Sequence, residues 1–145
     1  YTTHNYIDYD LEALDGTPHM MIRKGAIRAY AGEEMIIPFN MRDGVAICEG
    51  KSNPDWNYTA PHGAGRLMSR AKAFKTLDVE KFKAEMADAG VYTTTANRDT
   101  LDEAPEAYKN KDDIVRLIEP TATIKYFLKP KMNIKAAEGK PIWRK

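Results

Sequence analysis

The stretch Met35-Ile36-Ile37-Pro38-Phe39-Asn40-Met41-Arg42-Asp43-Gly44-Val45-Ala46-Ile47-Cys48 carries two short apolar runs, 35–37 and 45–48. Runs of that length, with β-branched residues, suit buried strands. Upstream, Arg23-Lys24-Gly25-Ala26-Ile27-Arg28 reads as strand and turn, and the first 20 residues are polar and acidic with a turn at Asp15-Gly16-Thr17-Pro18. Downstream, residues 50–65 hold Gly50, Pro54, Pro61, Gly63 and Gly65 among polar residues, a loop longer than ordinary connections. Residues 66–77 are helix-like, with Leu67, Ala71 and Phe74 on one face. Asp78 is an N-cap for a second helix with an apolar stripe of Val79, Phe82, Met86 and Ala89, stopped at Gly90. Residues 91–111 read as loop, including Glu103-Ala104-Pro105-Glu106-Ala107-Tyr108, and 112–119 as a short helix ending before Pro120. Ala122, Ile124, Tyr126 and Leu128 then alternate with polar residues, as in a half-buried strand. The fold class is α+β, mixed short strands with a few helices and no βαβ rhythm.

A chain of 145 residues suits one domain with a real core. Its net charge of +1 gives no bulk signal for nucleic acid, so phosphate affinity must come from local Arg and Lys clusters. The lone Cys48 excludes an internal disulfide and fits a reducing compartment. No apolar run approaches the roughly 20 residues that span a bilayer, and residues 1–10 lack the pattern of a signal peptide. A cytoplasmic protein is expected. The abrupt start at Tyr1-Thr2-Thr3-His4, without methionine, gives the expectation of a fragment.

The segment richest in chemistry is Ala60-Pro61-His62-Gly63-Ala64-Gly65-Arg66-Leu67-Met68-Ser69-Arg70. Gly63, Ala64 and Gly65 let backbone N–H groups approach a ligand, and the helix expected to follow favours an anion such as phosphate. Arg66 and Arg70, four apart, would share a helix face and grip further phosphates. His62 could be a phosphate ligand, a general acid or a nucleophile on phosphorus. A capped helix with a partly exposed histidine and two solvated arginines accounts for the same spacing. Of Arg23 and Lys24, only one faces a site if the chain is extended, and a solvated strand edge is the simpler account. His4 with Asn5, Asp8 and Asp10 has the donor types for Mn²⁺ or Zn²⁺. His19 reads as turn or core, and Cys48 as a buried core residue.

In order along the chain stand His4-Asn5, Arg23-Lys24-Gly25-Ala26-Ile27-Arg28-Ala29, Ile37-Pro38-Phe39-Asn40-Met41, His62-Gly63-Ala64-Gly65-Arg66, Ser69-Arg70, Ala107-Tyr108-Lys109 and Asn133-Ile134-Lys135. This series resembles the carboxy-terminal region of the RtcB family of RNA ligases over about residues 1–136. Residues 137–145, polar with Trp143, are an addition to the family pattern. Pro61 stands where much of the family has cysteine, Ile22 where it often has histidine, Phe39-Asn40 in place of a small pair, and Val45 in place of a serine.

The resemblance implies a portion of the larger RtcB fold and a three-step ligation. His62 would attack the α-phosphorus of GTP, GMP would pass to an RNA 3′-phosphate (itself arising from a 2′,3′-cyclic phosphate), and a 5′-hydroxyl end would displace GMP. It implies Mn²⁺ with His4 as one ligand, and a GTP site of His4, Asn5, Pro38, Phe39, Asn40, Met41, His62, Gly63, Ala64, Gly65, Tyr108 and Lys135. Lys24, Arg66 and Arg70 would take RNA or substrate phosphates. The expected partners are RNA, in tRNA splicing or RNA repair, the N-terminal part of the same protein with its remaining metal ligands, and an activating protein. No membrane is among them. One histidine ligand is too few to hold manganese, so this stretch alone is expected not to ligate RNA. A phosphate- and RNA-binding module without catalysis is the alternative.

Overall fold

Strand formation starts where the apolar runs predicted it. In the computed structural model, which describes residues 3–9, 16 and 20–136, β1 spans Asn5–Asp8, β2 Met21–Lys24 and β3 Ala26–Arg28. Strand β4 spans Glu34–Asn40, β5 Gly44–Gly50, β6 Thr59–Pro61 and β7 Ala122–Leu128. The helices are α1 Arg70–Thr76, α2 Val79–Asp88 and α3 Lys111–Leu117. Strands β1 and β2 pair antiparallel, as do β3 and β6, and a third sheet has the order β4-β5-β7. The fold is α+β. The expected turn at 15–18 (Gly16 apart), the readings of Asp10 and His19, and the tail 137–145 with Trp143 lie outside the described residues.

Four expectations need correction. The helix expected over 66–77 begins only at Arg70, where the Ser69 hydroxyl accepts the N–H of Lys72 at 3.2 Å. The reason is that the backbone just before it is already used: Leu67 N–H donates to the carbonyl of Ala107 at 2.9 Å, and Lys109 N–H to that of Gly65 at 3.1 Å. Leu67 and Phe74 are exposed, and α1 buries Ala73 instead. The loop over 50–65 contains a 3₁₀ turn, Pro54–Trp56, and strand β6. Residues 91–111 likewise hold two 3₁₀ segments, Arg98–Glu103 and Pro105–Ala107. Finally, β7 is not half-buried: past Ala122 its apolar side chains Tyr126, Phe127 and Leu128 are exposed.

The chain divides into two units. One comprises the described parts of 1–38, 46–63 and 112–127. Its core takes the inward residues of alternating strands, Ile27, Met35 and Ile37, with Cys48 and Ala60. Gly50 permits a close backbone crossing here, since a Cβ would lie 2.3–2.5 Å from the backbone of Ala29 and Tyr30. The other unit comprises the described parts of 39–45, 64–111 and 128–145. Met41, Phe82, Met86, Val91, Leu101 and Ala104 form its core. The 3.6-residue period puts Phe82 and Met86 on one face of α2, whose N-cap is Asp78 as expected, accepting from Lys81 N–H at 2.8 Å.

Candidate active site

The geometry around His62 follows from the two short antiparallel pairs. Strand β6 ends at Pro61, so His62 emerges directly from the β3–β6 pair, opposite Gly25. His4 directly precedes β1, which pairs with β2 in the register Asn5 to Lys24. The imidazole rings of His4 and His62 stack, with centroids 4.7 Å apart and planes inclined by 23°. Gly25 lies at φ +63°, and a side chain there would meet the His62 ring at 3.6 Å. The Gly25 N–H donates to the Asn5 side chain at 2.9 Å, which makes Asn5 a support of this turn. His62 is half-buried. Burial lowers its pKa below the usual 6.5, and the neighbouring His4 lowers it further. A neutral ring with a free lone pair is therefore favoured near neutral pH, as a nucleophile requires.

The glycines after His62 do different work. Gly63 faces the carbonyl of Pro38, from which an added Cβ would stand 3.0 Å, so its small size serves packing. Ala64 is buried. Gly65 takes φ +71° and lies near the Lys109 side chain, whose Nζ would be 4.0 Å from a Cβ at Gly65. The expected helix N-terminus behind this loop begins later, at Arg70, and Arg66 and Arg70 do not share a helix face. Anion attraction here must come from backbone N–H groups and cations.

In strand β4, alternation turns Phe39 inward, and Met41 beyond its end is buried too, so these two side chains join the core. Pro38 is exposed and Asn40 half-exposed. Asn40 accepts the N–H groups of Arg42 and Asp43, both at 2.9 Å, and shares with Tyr108, Leu67, Pro105 and Lys109 the wall of a cleft of about 310 Å³. Lys24 is exposed at the edge of β2.

Tyr108, Arg66 and Lys135 converge on one carboxylate. Tyr108 donates its hydroxyl to Glu103 at 2.8 Å, Arg66 Nη2 donates to the other oxygen at 2.6 Å, and the Lys135 ammonium lies 3.3 Å away. Arg66 also donates to the Asp102 carbonyl at 2.6 Å and stacks on the Tyr108 ring at 4.9 Å. Arg70 comes within 3.6 Å of the Asp102 carboxylate. Burial, and then the bond to Glu103, push the Tyr108 phenol up to about 12, so it stays a neutral donor. The sequence marks Glu103 only as part of a loop. Its sole signal there is its place in the stretch that ends in Tyr108.

Among the described residues, Asp8 forms no metal-binding group with His4. It is buried and paired with Arg23, itself 2% exposed, which corrects the expectation of a solvated basic edge. Cys48 is buried, and burial pushes its thiol up to about 11. No group of three or more His, Cys, Asp or Glu side chains gathers for a metal ion among the described residues. These residues do not by themselves fit a manganese centre, which needs more donors than His4. Among them, too, no helix is long and apolar enough to cross a membrane.

Residues 1–136 match the family described as tRNA-splicing ligase RtcB. A "tRNA-splicing ligase RtcB" of Aeropyrum pernix is 35% identical over 132 residues, covering 79% of this chain and 27% of that protein. An "RNA-splicing ligase RtcB1" of Escherichia coli is 32% identical over 132 residues, covering 91% of this chain and 31% of its own length. A "tRNA-splicing ligase RtcB" of Pyrococcus abyssi is 30% identical over 141 residues, covering 84% of this chain and 15% of its own. The chain thus spans under a third of the length of these curated relatives.

Proposed function

The chain belongs to the RtcB family, and from that premise we propose that it supplies the nucleophile-bearing part of an RNA ligase. The ligase would join RNA 3′-phosphate ends, including those formed when water opens a 2′,3′-cyclic phosphate, to 5′-hydroxyl ends. The observation that carries the reading is the half-buried His62, stacked on His4 with its pKa lowered, in the motif His62-Gly63-Ala64-Gly65-Arg66. A ring nitrogen of His62 attacks the α-phosphorus of GTP. The N–P bond forms as the bond to pyrophosphate breaks. GMP then passes from the imidazole to an oxygen of the RNA 3′-phosphate, and the 5′-hydroxyl of the other end displaces it to leave the phosphodiester.

Other residues divide binding from support. Tyr108 and Lys135, gathered on Glu103, are assigned to the guanine base, with Asn40 lining the neighbouring cleft. Pro38, Phe39 and Met41 are assigned to the same nucleotide site, Phe39 and Met41 through their backbone because their side chains are buried. Asn5 holds the Gly25 turn under His62, and Gly63, Ala64 and Gly65 present backbone to the nucleotide. Lys24, Arg66 and Arg70 are assigned to RNA phosphates; Arg66 and Arg70 lie against Glu103 and Asp102, so a phosphate binds by competing with carboxylates. His4 is the donor assigned to manganese, and the donor set is incomplete among the described residues.

The test is intact mass after incubation with GTP and Mn²⁺. It compares the 145-residue chain, a chimera in which residues 1–136 replace the matching segment of the Aeropyrum pernix relative, and the His62→Ala chimera. One GMP on the chimera, mapped to His62 and absent from both others, supports the reading. A chimera that binds GTP and RNA yet takes up no GMP overturns it in favour of an RNA-binding module without catalysis.

A further inference from the structure

We propose that Arg23 is a positioning residue for the His4–His62 pair, its one guanidinium tying the strand that follows His4 to the strand that delivers His62. For its catalytic consequence the inference rests on the reading of His62 as nucleophile; its geometry stands apart from that reading. The two histidines belong to different sheets. His4 leads into β1, which pairs with β2, whereas His62 follows β6, which pairs with β3. At the turn between them, Ala26 N–H, at the start of β3, donates to the His4 carbonyl at 3.4 Å, and Gly25 N–H donates to the Asn5 side chain at 2.9 Å.

Arg23 spans the remaining gap. From β2 its Nη1 donates to the Asp8 carboxylate at the end of β1. Its Nε donates to the Thr59 hydroxyl at 3.1 Å, on the first residue of β6. Its Nη2 points to the carbonyls of Asn57 and Tyr58, each at 3.4 Å, in the segment leading into β6. Tyr30 donates to the same Asp8 oxygen at 2.9 Å, and the Arg23 guanidinium lies 5.7 Å from the Tyr6 ring centroid and 5.8 Å from that of Tyr30. The guanidinium reaches an anion, a hydroxyl and two carbonyls from three separate nitrogens held in one plane; a lysine has its three donors on a single nitrogen and lacks that span. Both side chains of the ion pair are 1–2% exposed. Desolvating a pair so fully seldom adds net stability, and its best-attested use is to specify one arrangement among several.

The experiment is done on the 145-residue chain, which has three histidines and hence few ring signals to assign. Amide spectra establish folding, and a nuclear Overhauser contact between the ring protons of His4 and His62 reads the stack. Arg23→Lys keeps the charge opposite Asp8 but loses the reach to Thr59 and the carbonyls. Thr59→Val keeps the ion pair and removes the hydroxyl that accepts from Arg23 Nε and itself donates to the Asn57 carbonyl at 2.7 Å. Both are expected to fold and to weaken the ring contact at least twofold, while Lys24→Gln, a neighbouring loss of charge, leaves it unchanged. A wild-type ring contact in folded Thr59→Val overturns the proposal, as does one in folded Arg23→Lys. If Arg23→Lys fails to fold, Thr59→Val decides alone. A chimera without a GMP adduct on His62 overturns the nucleophile reading and leaves the ring result standing.

Discussion

Glu103 accepts the Tyr108 hydroxyl at 2.8 Å on the same oxygen that faces the Lys135 ammonium at 3.3 Å, so one carboxylate orders two side chains assigned to the base. Burial opposes its ionisation, but the Tyr108 bond, the Lys135 charge and Arg66 outweigh burial and hold its pKa below the usual 4.5. A carboxylate with a lowered native pKa contributes stability that is full above its unfolded value and is lost as pH falls through the native one. Glu103→Gln is expected to cost about 1.5–3 kcal/mol at pH 7, the range for hydrogen bonds to charged groups. The cost should shrink as pH falls below 4.5. Urea unfolding of both chains at several pH values checks this, and a cost that persists undiminished into acid contradicts the assignment.

His62 gives a pH dependence of the same sign in a higher pH interval, because here the charged form is the one the fold disfavours. Because burial and His4 lower the His62 pKa, the unfolded chain takes up a proton that the folded chain resists. Stability should therefore decline as pH falls from 6.5 toward the lower native value. His62→Gln should flatten this part of the profile. Thermal unfolding across that interval measures it.

Two glycines should answer differently to the same change. Gly50→Ala drives a methyl group into the backbone of Ala29 and Tyr30, which cannot rotate away, and about 3 kcal/mol or more of destabilisation is expected. Gly32 has φ +82° and open space around it, so Gly32→Ala should cost about 1–2 kcal/mol, the strain of a left-handed backbone alone. Equal costs in denaturant titrations would refute the contrast.

Phe82 is 2% exposed at the centre of the second unit's core. Phe82→Ala is expected to destabilise by about 3–5 kcal/mol. Asp78→Ala, which removes the N-cap of the same helix, should cost about 1 kcal/mol. Circular dichroism during urea unfolding separates the two.

Much of this architecture is legible in sequence wherever the cause is local. Strands β4 and β5 announce themselves through short β-branched runs, α2 through its cap and stripe, and the turn at Gly25 through the glycine that follows Arg23-Lys24. Strand β6 does not, because Thr59-Ala60-Pro61 is too short to show alternation and its pairing depends on β3, more than 30 residues earlier. The start of α1 is hidden for the same reason: residues 65–67 are claimed by 107–109, which no local pattern reveals. At the candidate site, the histidine, the arginines, Tyr108 and Lys135 could be picked out by motif. Glu103 and Asp102 could not, since their importance lies in the cations that converge on them. Arg23 reads as a solvated edge in sequence because its partners Asp8 and Thr59 are distant along the chain.

The lone thiol of Cys48 has a practical use. It is buried in β5 and held far above the pH at which thiols react. A thiol reagent can therefore modify it only when that strand comes open, and with no second cysteine the signal has one source. The rate of labelling under native conditions becomes a clock for local opening of the sheet. That clock runs without an introduced probe, and it can be read in every variant named above.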